Sequence, residues 1–494
     1  MERTSEQKII RAGLQSIAGK LGGKLIDFGT LLLLAQLLLP VDFGLIALAM
    51  SAILLIESLT EVPLTQPILR AADPTPDYYD TSFTLGVMRA CILTIFLIAL
   101  AWPMGAFYEE PRLPILIIVL TLSPIMRSLF SPRMADFARI YNMRPEMTIS
   151  LMGKAGAFVV VLCFALTTRS YWAIALGTIT TPLIMTSLSY IKAPYRPRLS
   201  LVRWHDFADI VGWNSLNQFF AAISFQIDRI LLGRTLSMAT LGHYAMASDL
   251  TGVPIQGILI PLGTPLTVAM SKATTLERQQ WAWKKVLNTV LCLMGAILLG
   301  ISTLAGPIVQ FLLGETWIEA APILALMALT TLPALVGYAL VPLAIALYRP
   351  GLITQRTMID LAIKLPLMLI GIAWFGLWGA IAARGIASLA AMIFAFTAAT
   401  QLIGLSVREQ VYAIRRTLAG LIALAAVSFW LCPVVQPTTA SFVERAGLGL
   451  ETGLVFILAL TAQIVVMIGL WNLEGRPTGS LEGTLLEWFR KKIN

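Results

Sequence analysis

The sequence predicts an all-α polytopic membrane protein with about fourteen transmembrane helices, and three observations carry that reading. Hydrophobic residues make up 57% of the 494 positions and charged residues 13%, a balance far from that of a soluble domain. Apolar runs of about 20 to 28 residues recur along the chain, the length that crosses a hydrocarbon core about 30 Å thick at 1.5 Å per residue with some tilt. Barrel strands are about half as long and alternate in polarity, and backbone groups in lipid must bond within their own segment, so each run is read as a helix.

The expected spans are 12–38, 43–68, 79–104, 113–132, 147–167, 170–191, 207–233, 241–270, 286–312, 320–347, 353–375, 377–402, 411–433 and 449–472. The first follows a polar, charged start and is too long for a signal-peptide core, so it is expected to stay in the protein. The fourth is interrupted by proline. Only Thr168-Arg169 separates spans five and six, and only Gly376-Leu377 separates eleven and twelve. The stretch Leu481, Leu485, Leu486, Phe489 and Ile493 falls on one helical face, with Arg490, Lys491 and Lys492 late, the pattern of an interfacial amphipathic tail.

Orientation follows from the basic residues outside the spans. One alternate set of connections holds Arg70, Arg133, Arg139, Arg144, Lys192, Arg196, Arg198, Lys284 and Lys285 among others. The opposite set holds only Arg112, Arg169, Arg234 and Arg445, with Glu109, Glu110, Glu315, Glu319 and Glu444. Both termini are therefore expected on the cytoplasmic side, and the net charge of +9 is topogenic rather than a sign of a nucleic-acid partner.

An internal repeat organises the chain. Pro63-Leu64-Thr65-Gln66-Pro67 matches Pro261-Leu262-Gly263-Thr264-Pro265. At the same offset of 198, residues 43–49 (Phe-Gly-Leu-Ile-Ala-Leu-Ala) match 241–247 (Leu-Gly-His-Tyr-Ala-Met-Ala), and one residue of slippage aligns Gly13 and Ser16 with Gly212 and Ser215. The expected domains are a six-helix half over 1–191, a Pro- and Arg-rich cytoplasmic linker over 192–206, a second six-helix half over 207–402, and two further helices with the tail over 403–494. Parallel repeats of six spans are related by an axis along the membrane normal, with substrate between them. Gly19, Gly22 and Gly23 allow close helix approach in span one. Pro63, Pro67, Pro254, Pro261 and Pro265 predict bends in the repeat-related spans two and eight.

Enzyme chemistry finds little here. The chain has two histidines, His205 and His243, so neither a His-based triad nor a multi-His metal site is available. Four cysteines sit singly inside spans, without metal or disulfide spacing. Gly13 to Lys20 looks superficially like a phosphate loop, but it is one residue too long and Leu21 stands where Ser or Thr would hold magnesium. No cofactor is expected.

The stretch Phe225-Gln226-Ile227-Asp228-Arg229-Ile230-Leu231-Leu232-Gly233, followed by Leu241-Gly242-His243-Tyr244-Ala245-Met246-Ala247, resembles the second-half signature of the polysaccharide transporter family. Leu39-Pro40-Val41-Asp42-Phe43-Gly44-Leu45 looks like its first-hairpin counterpart. The resemblance covers about residues 5–400. It implies a flippase of the bacterial inner membrane, in the superfamily that also holds lipid II flippases and multidrug extruders, exporting undecaprenyl-diphosphate-linked oligosaccharide repeat units for exopolysaccharide, capsule or O-antigen. Polysaccharide polymerase and glycosyltransferases are the implied partners. The lipid II branch carries cations on its first helix, which Lys20 and Lys24 match by location.

Charges inside the spans cost about 2.5 to 3.5 kcal/mol each at the bilayer centre, so they are expected to face a cavity or one another. The cationic set, Lys20, Lys24, Arg89, Lys154, Arg229, Lys364 and Arg384, is the candidate contact for a diphosphate. The acidic set, Asp27, Glu57, Glu61, Asp228, Asp249 and Asp360, is the candidate for charge balance or for a coupling ion. Lys24 with Asp27 and Asp360 with Lys364 have helical spacing and are equally readable as structural pairs. The chain is thus expected to work by alternating access without covalent chemistry. Two rival readings stay open: a drug or cation extruder of the same fold, which should show a more acidic cavity, and a membrane glycan polymerase or ligase, which normally carries a large periplasmic loop.

Overall fold

The structure, a computed structural model, describes residues 2–60, 64–433, 442–476 and 483, with side chains throughout except at 2–12, 14, 209–217, 442 and 443. Glu61, Pro63 and the amphipathic tail expected over 481–493 lie outside the described residues, as do the side chains of Gly212 and Ser215. Among the described residues every regular element is helical. The helices are α1 (Glu2–Leu37), α2 (Pro40–Leu59), α3 (Gln66–Arg70), α4 (Pro76–Phe107), α5 (Leu113–Leu120), α6 (Leu122–Ser128), α7 (Ala135–Arg139), α8 (Arg144–Thr168), α9 (Trp172–Lys192) and α10 (Trp204–Thr235). They continue as α11 (Met238–Pro254), α12 (Ile260–Ser271), α13 (Leu276–Thr303), α14 (Ala305–Leu312), α15 (Ala320–Thr331), α16 (Ala334–Ala346), α17 (Gly351–Ile403), α18 (Val407–Trp430) and α19 (Phe442–Leu473).

Among the described residues nine helices are long and apolar enough to cross a membrane, or up to eleven where each of two bent pairs counts as one span. The bends are 52° between Leu113–Ser128 and Pro132–Arg139, and 40° between α15 and α16. Leu25, Ile95, Trp374, Phe375 and Leu450 are each more than 60% exposed. Large apolar side chains turned outward in this number mark a surface made for hydrocarbon. The chain is a multi-pass membrane protein.

At 53 residues, α17 would run about 80 Å as one rod, far beyond a bilayer. It does not run straight. Gly376 has φ +57° and ψ −131°, a left-handed conformation that favours glycine, and a Cβ on Gly379 would stand 2.0 Å from the Gly371 carbonyl oxygen. Two glycines eight positions apart are thus face to face. The helix is a hairpin turning where the sequence separates spans eleven and twelve.

Several helices begin earlier than their apolar runs. The expected start of span nine at 286 is corrected to Leu276: Thr275 caps the helix by accepting from the Arg278 N–H, and Ala282, Trp283, Val286 and Leu287 form its buried stripe. Ser406 and Glu409 form a capping box that starts α18 at Val407. Capped amphipathic turns continue helices past the point where hydropathy falls.

The chain forms two compact units, Met1–Gly242 and His243–Asn494. In the first, α1 packs on α8, α8 on α9 and α10 on α2. Gly19, Gly22 and Gly23 do face α8, against Met147, Leu151 and Lys154 respectively. Residues 193–203 are not helical, yet they are tied to the start of α4: Tyr195 donates to Asp80 at 2.5 Å, Ser200 N–H to Thr84 Oγ1 at 2.8 Å and Arg203 N–H to Thr81 Oγ1 at 3.3 Å. Burial and then the Asp80 bond push the Tyr195 phenol well above its ordinary range.

The offset of 198 recurs in the helices themselves. Leu37 and Thr235 end α1 and α10, and Pro40 and Met238 begin α2 and α11. Near those starts the repeat mates Gly44 and Gly242 meet reciprocally. A Cβ on Gly44 would stand 1.9 Å from the Met238 carbonyl oxygen, and one on Gly242 would stand 1.8 Å from that of Pro40. The two proline-bearing segments then diverge: α2 stops at Leu59 and α3 starts at Gln66, whereas α11 passes into a π-helical turn, Ile255–Leu259, before α12. Proline removes a ladder donor in each case, and a π turn is one way to absorb the loss without a break. In the second unit α13 packs against α15, α16 and α18. Trp283 donates there to Gln410, whose amide donates to the Phe396 and Leu405 carbonyls.

Candidate functional site

Two ionic clusters hold the candidate charges of the first unit. On the α1/α8 wall, Lys20, Lys24 and Asp27 are exposed residues of α1. The Asp27 carboxylate is bound from the neighbouring helix: Lys154 of α8 donates to Oδ2 at 2.5 Å and reaches the Gly23 carbonyl at 3.3 Å. Asp27 thus has a cross-helix partner that i,i+3 spacing does not propose. A partner 127 positions away is in reach because Gly23 lets α8 approach, with Lys154 Nζ 3.2 Å from where a Cβ would be. Counting these four residues, the wall carries two positive charges in excess.

The second cluster lies among α2, α4 and α6. Glu57 Oε1 is 3.3 Å from Arg127 Nη1 and 4.0 Å from Arg89 Nη2. Arg89 also donates to the Glu57 carbonyl at 3.1 Å and to Thr60 Oγ1 at 3.4 Å, while Arg127 donates to Ser123 Oγ at 3.2 Å. Arg127 is absent from the cationic set read from the sequence. It lies within the apolar run 113–132, and the cost of a charge at that depth is the signal that identifies it.

The remaining candidates lie on α10, α11 and α17. Asp228 and Arg229 are both buried on α10, at 2% and 8% exposure, and as neighbours they face different surroundings. Asp249 is exposed on α11, and Asp360 is half-buried on the first arm of α17. Lys364 is buried on that arm. Arg384 on the second arm donates to Thr331 Oγ1 at 3.5 Å. On the turns expected outside the membrane, Arg112 clasps Glu110 through Nε and Nη2 at 2.8 and 2.9 Å. That clasp holds the Glu110 carboxyl below its ordinary range, against the opposing effect of burial.

The family described as polysaccharide biosynthesis protein matches residues 33–322, more than half of the chain and both glycine-bearing repeat segments. The chain belongs to this family. Relatives of the chain include the succinoglycan biosynthesis transport protein ExoT of Rhizobium meliloti, 22% identical over 318 residues, 64% of each chain. The teichuronic acid biosynthesis protein TuaB of Bacillus subtilis is 22% identical over 53% of this chain and 55% of its own. The chain covers less than two thirds of the length of these relatives. Its fold is similar to that of the lipid II flippase MurJ in an inward closed conformation, with a TM-score of 0.68 at 12% identity over 91% of this chain and 98% of that one. An inward-facing multidrug resistance MATE family transporter gives 0.60 at 16% identity over 77% and 94%. Both likenesses are of fold.

Proposed function

We propose that the chain is a flippase carrying undecaprenyl-diphosphate-linked oligosaccharide repeat units from the cytoplasmic to the outer leaflet of a bacterial inner membrane. The observation that carries the reading is the exposed pair Lys20 and Lys24, one turn apart on α1, beside an Asp27 already held by Lys154. An ammonium exposed at depth in a membrane helix is tolerable where it faces water or an anion. Two of them spaced by one helical turn suit a diphosphate, whose charges Lys binds as a compact donor. The names of ExoT, TuaB and the amylovoran biosynthesis protein AmsL of Erwinia amylovora support a polymer-exporting role.

In this reading fourteen spans form six-helix halves over 1–191 and 207–402, joined by 192–206, with 403–494 added. Both termini face the cytoplasm. The halves exchange access to a cationic cleft while the lipid tail stays in the bilayer, and no covalent bond changes. Acidic residues such as Asp249 and Asp360 balance charge or carry the coupling ion, and polymerase and glycosyltransferases act before and after. Deleting the gene should leave lipid-linked oligosaccharide on the cytoplasmic leaflet and abolish a surface polymer, and Lys20→Ala/Lys24→Ala should fail to restore either while reaching the membrane at normal level. Full polymer from that variant would overturn the reading. Altered drug tolerance with normal polymer would favour the extruder.

A further inference from the structure

A cavity of about 270 Å³ lies inside the first unit, and Glu57, Arg89, Arg127, Ser128, Ser131 and Glu146 are among the residues lining it. It is bounded by α2, α4, α6 and the start of α8, next to the connection holding Arg133 and Arg139. Ligand pockets for drug-sized molecules run from roughly 300 Å³ upward, so this space holds a polar group rather than an oligosaccharide. What meets the fork of Arg127 is the Glu57 carboxylate at 3.3 Å, with Arg89 4.0 Å from the same oxygen and bonded to the Glu57 carbonyl and Thr60. Arg127, with 47% of its side chain exposed, opens the site to the outside, while Arg89 at 19% and Glu57 at 15% are withdrawn.

We propose that this cavity is an oxyanion site for a phosphate-type group, with Glu57 as a built-in counter-anion that an incoming phosphate displaces from Arg127. Two guanidiniums within 4.0 Å of one carboxylate oxygen form a fork set that suits a tetrahedral anion as well as it suits Glu57. The hydroxyls of Ser128 and Ser131 at the wall donate to the Pro124 and Ala193 carbonyls, so the arginines are the donors that an anion would use. Among the described residues, Glu57 and Glu146 are the carboxylates that face the space, from α2 and α8. Arg89 and Arg127 are the cations, from α4 and α6, and the segment 132–138 contributes only uncharged side chains to the lining. Removing the Glu57 charge removes the competitor for Arg127. The biological ligand, a lipid diphosphate or free phosphate, rests on the export reading; the site itself does not.

The test uses purified full-length chain and calorimetric titration. Sulfate and pyrophosphate are the probes. Glu57→Gln should bind both about tenfold more tightly at pH 7, and Arg127→Ala should bind them about tenfold more weakly. Farnesyl diphosphate competing with pyrophosphate identifies a lipid source, and retained pyrophosphate binding with no competition identifies free phosphate. Unchanged or weakened binding in a Glu57→Gln protein with the wild-type elution profile would overturn the proposal. Binding on purified protein and polymer export in cells are separate readouts, so failure of this site and failure of the flippase reading are distinguishable.

Discussion

On the α1/α8 wall a single carboxylate, Asp27, meets ammonium groups and stays 46% exposed, whereas between α2, α4 and α6 a single carboxylate, Glu57, meets two guanidiniums and is 15% exposed. The difference follows from the cation. Lysine delivers one compact charge and leaves the rest of its surroundings wet; arginine carries five donors in a plane and satisfies backbone and hydroxyl groups at the same time. Arg89 does this, bonding the Glu57 carbonyl and Thr60 together. The first cluster is therefore a charged surface, and the second is a more withdrawn node that is also part of the packing.

The contrast is broken first at Arg89. Arg89→Ala strands the withdrawn Glu57 beside one remaining arginine and should lower the stability of the purified chain by about 2 to 3 kcal/mol, with Arg89→Lys recovering less than half. Thermal unfolding in detergent checks it, and a loss no greater than that of the exposed Arg127→Ala would erase the distinction. A smaller effect is expected across α1 and α8. A double-mutant cycle on Asp27→Ala and Lys154→Ala should give a coupling of about 0.5 to 1 kcal/mol, the discount reflecting how much of the pair is exposed; additivity would make the contact incidental.

The smallest effect belongs to the outer turn. Because Arg112 depresses the Glu110 carboxyl, the stabilisation is complete above the unfolded value of about 4.3 and disappears as pH falls through the lower folded one. Arg112→Ala should cost under about 1 kcal/mol at pH 7, equally at pH 6 and 8, and converge with the parent below about pH 4. A gap that instead widens in acid would reverse the assignment.

The helical class and the turn at Gly376 were legible because bilayer thickness imposes a length on apolar runs and one glycine separates two of them. The repeat was legible for the same reason that Gly44 and Gly242 are glycines: backbone contact tolerates no side chain. Pair partners were not legible. Helical spacing proposes neighbours along one helix, as with Asp27 and Lys24, and says nothing of the bond from Lys154 on α8. Arg127 escaped notice because the run around it is apolar on both sides, which hides one arginine from composition but not from energetics.

The reciprocal contact at Gly44 and Gly242 ties together two positions far apart in the chain. Each glycine lies under the carbonyl that opens the other's helix, Met238 over Gly44 and Pro40 over Gly242, which is the self-complementary pattern of an isologous contact. Neither glycine makes that approach alone, so a bulky residue at either one undoes both.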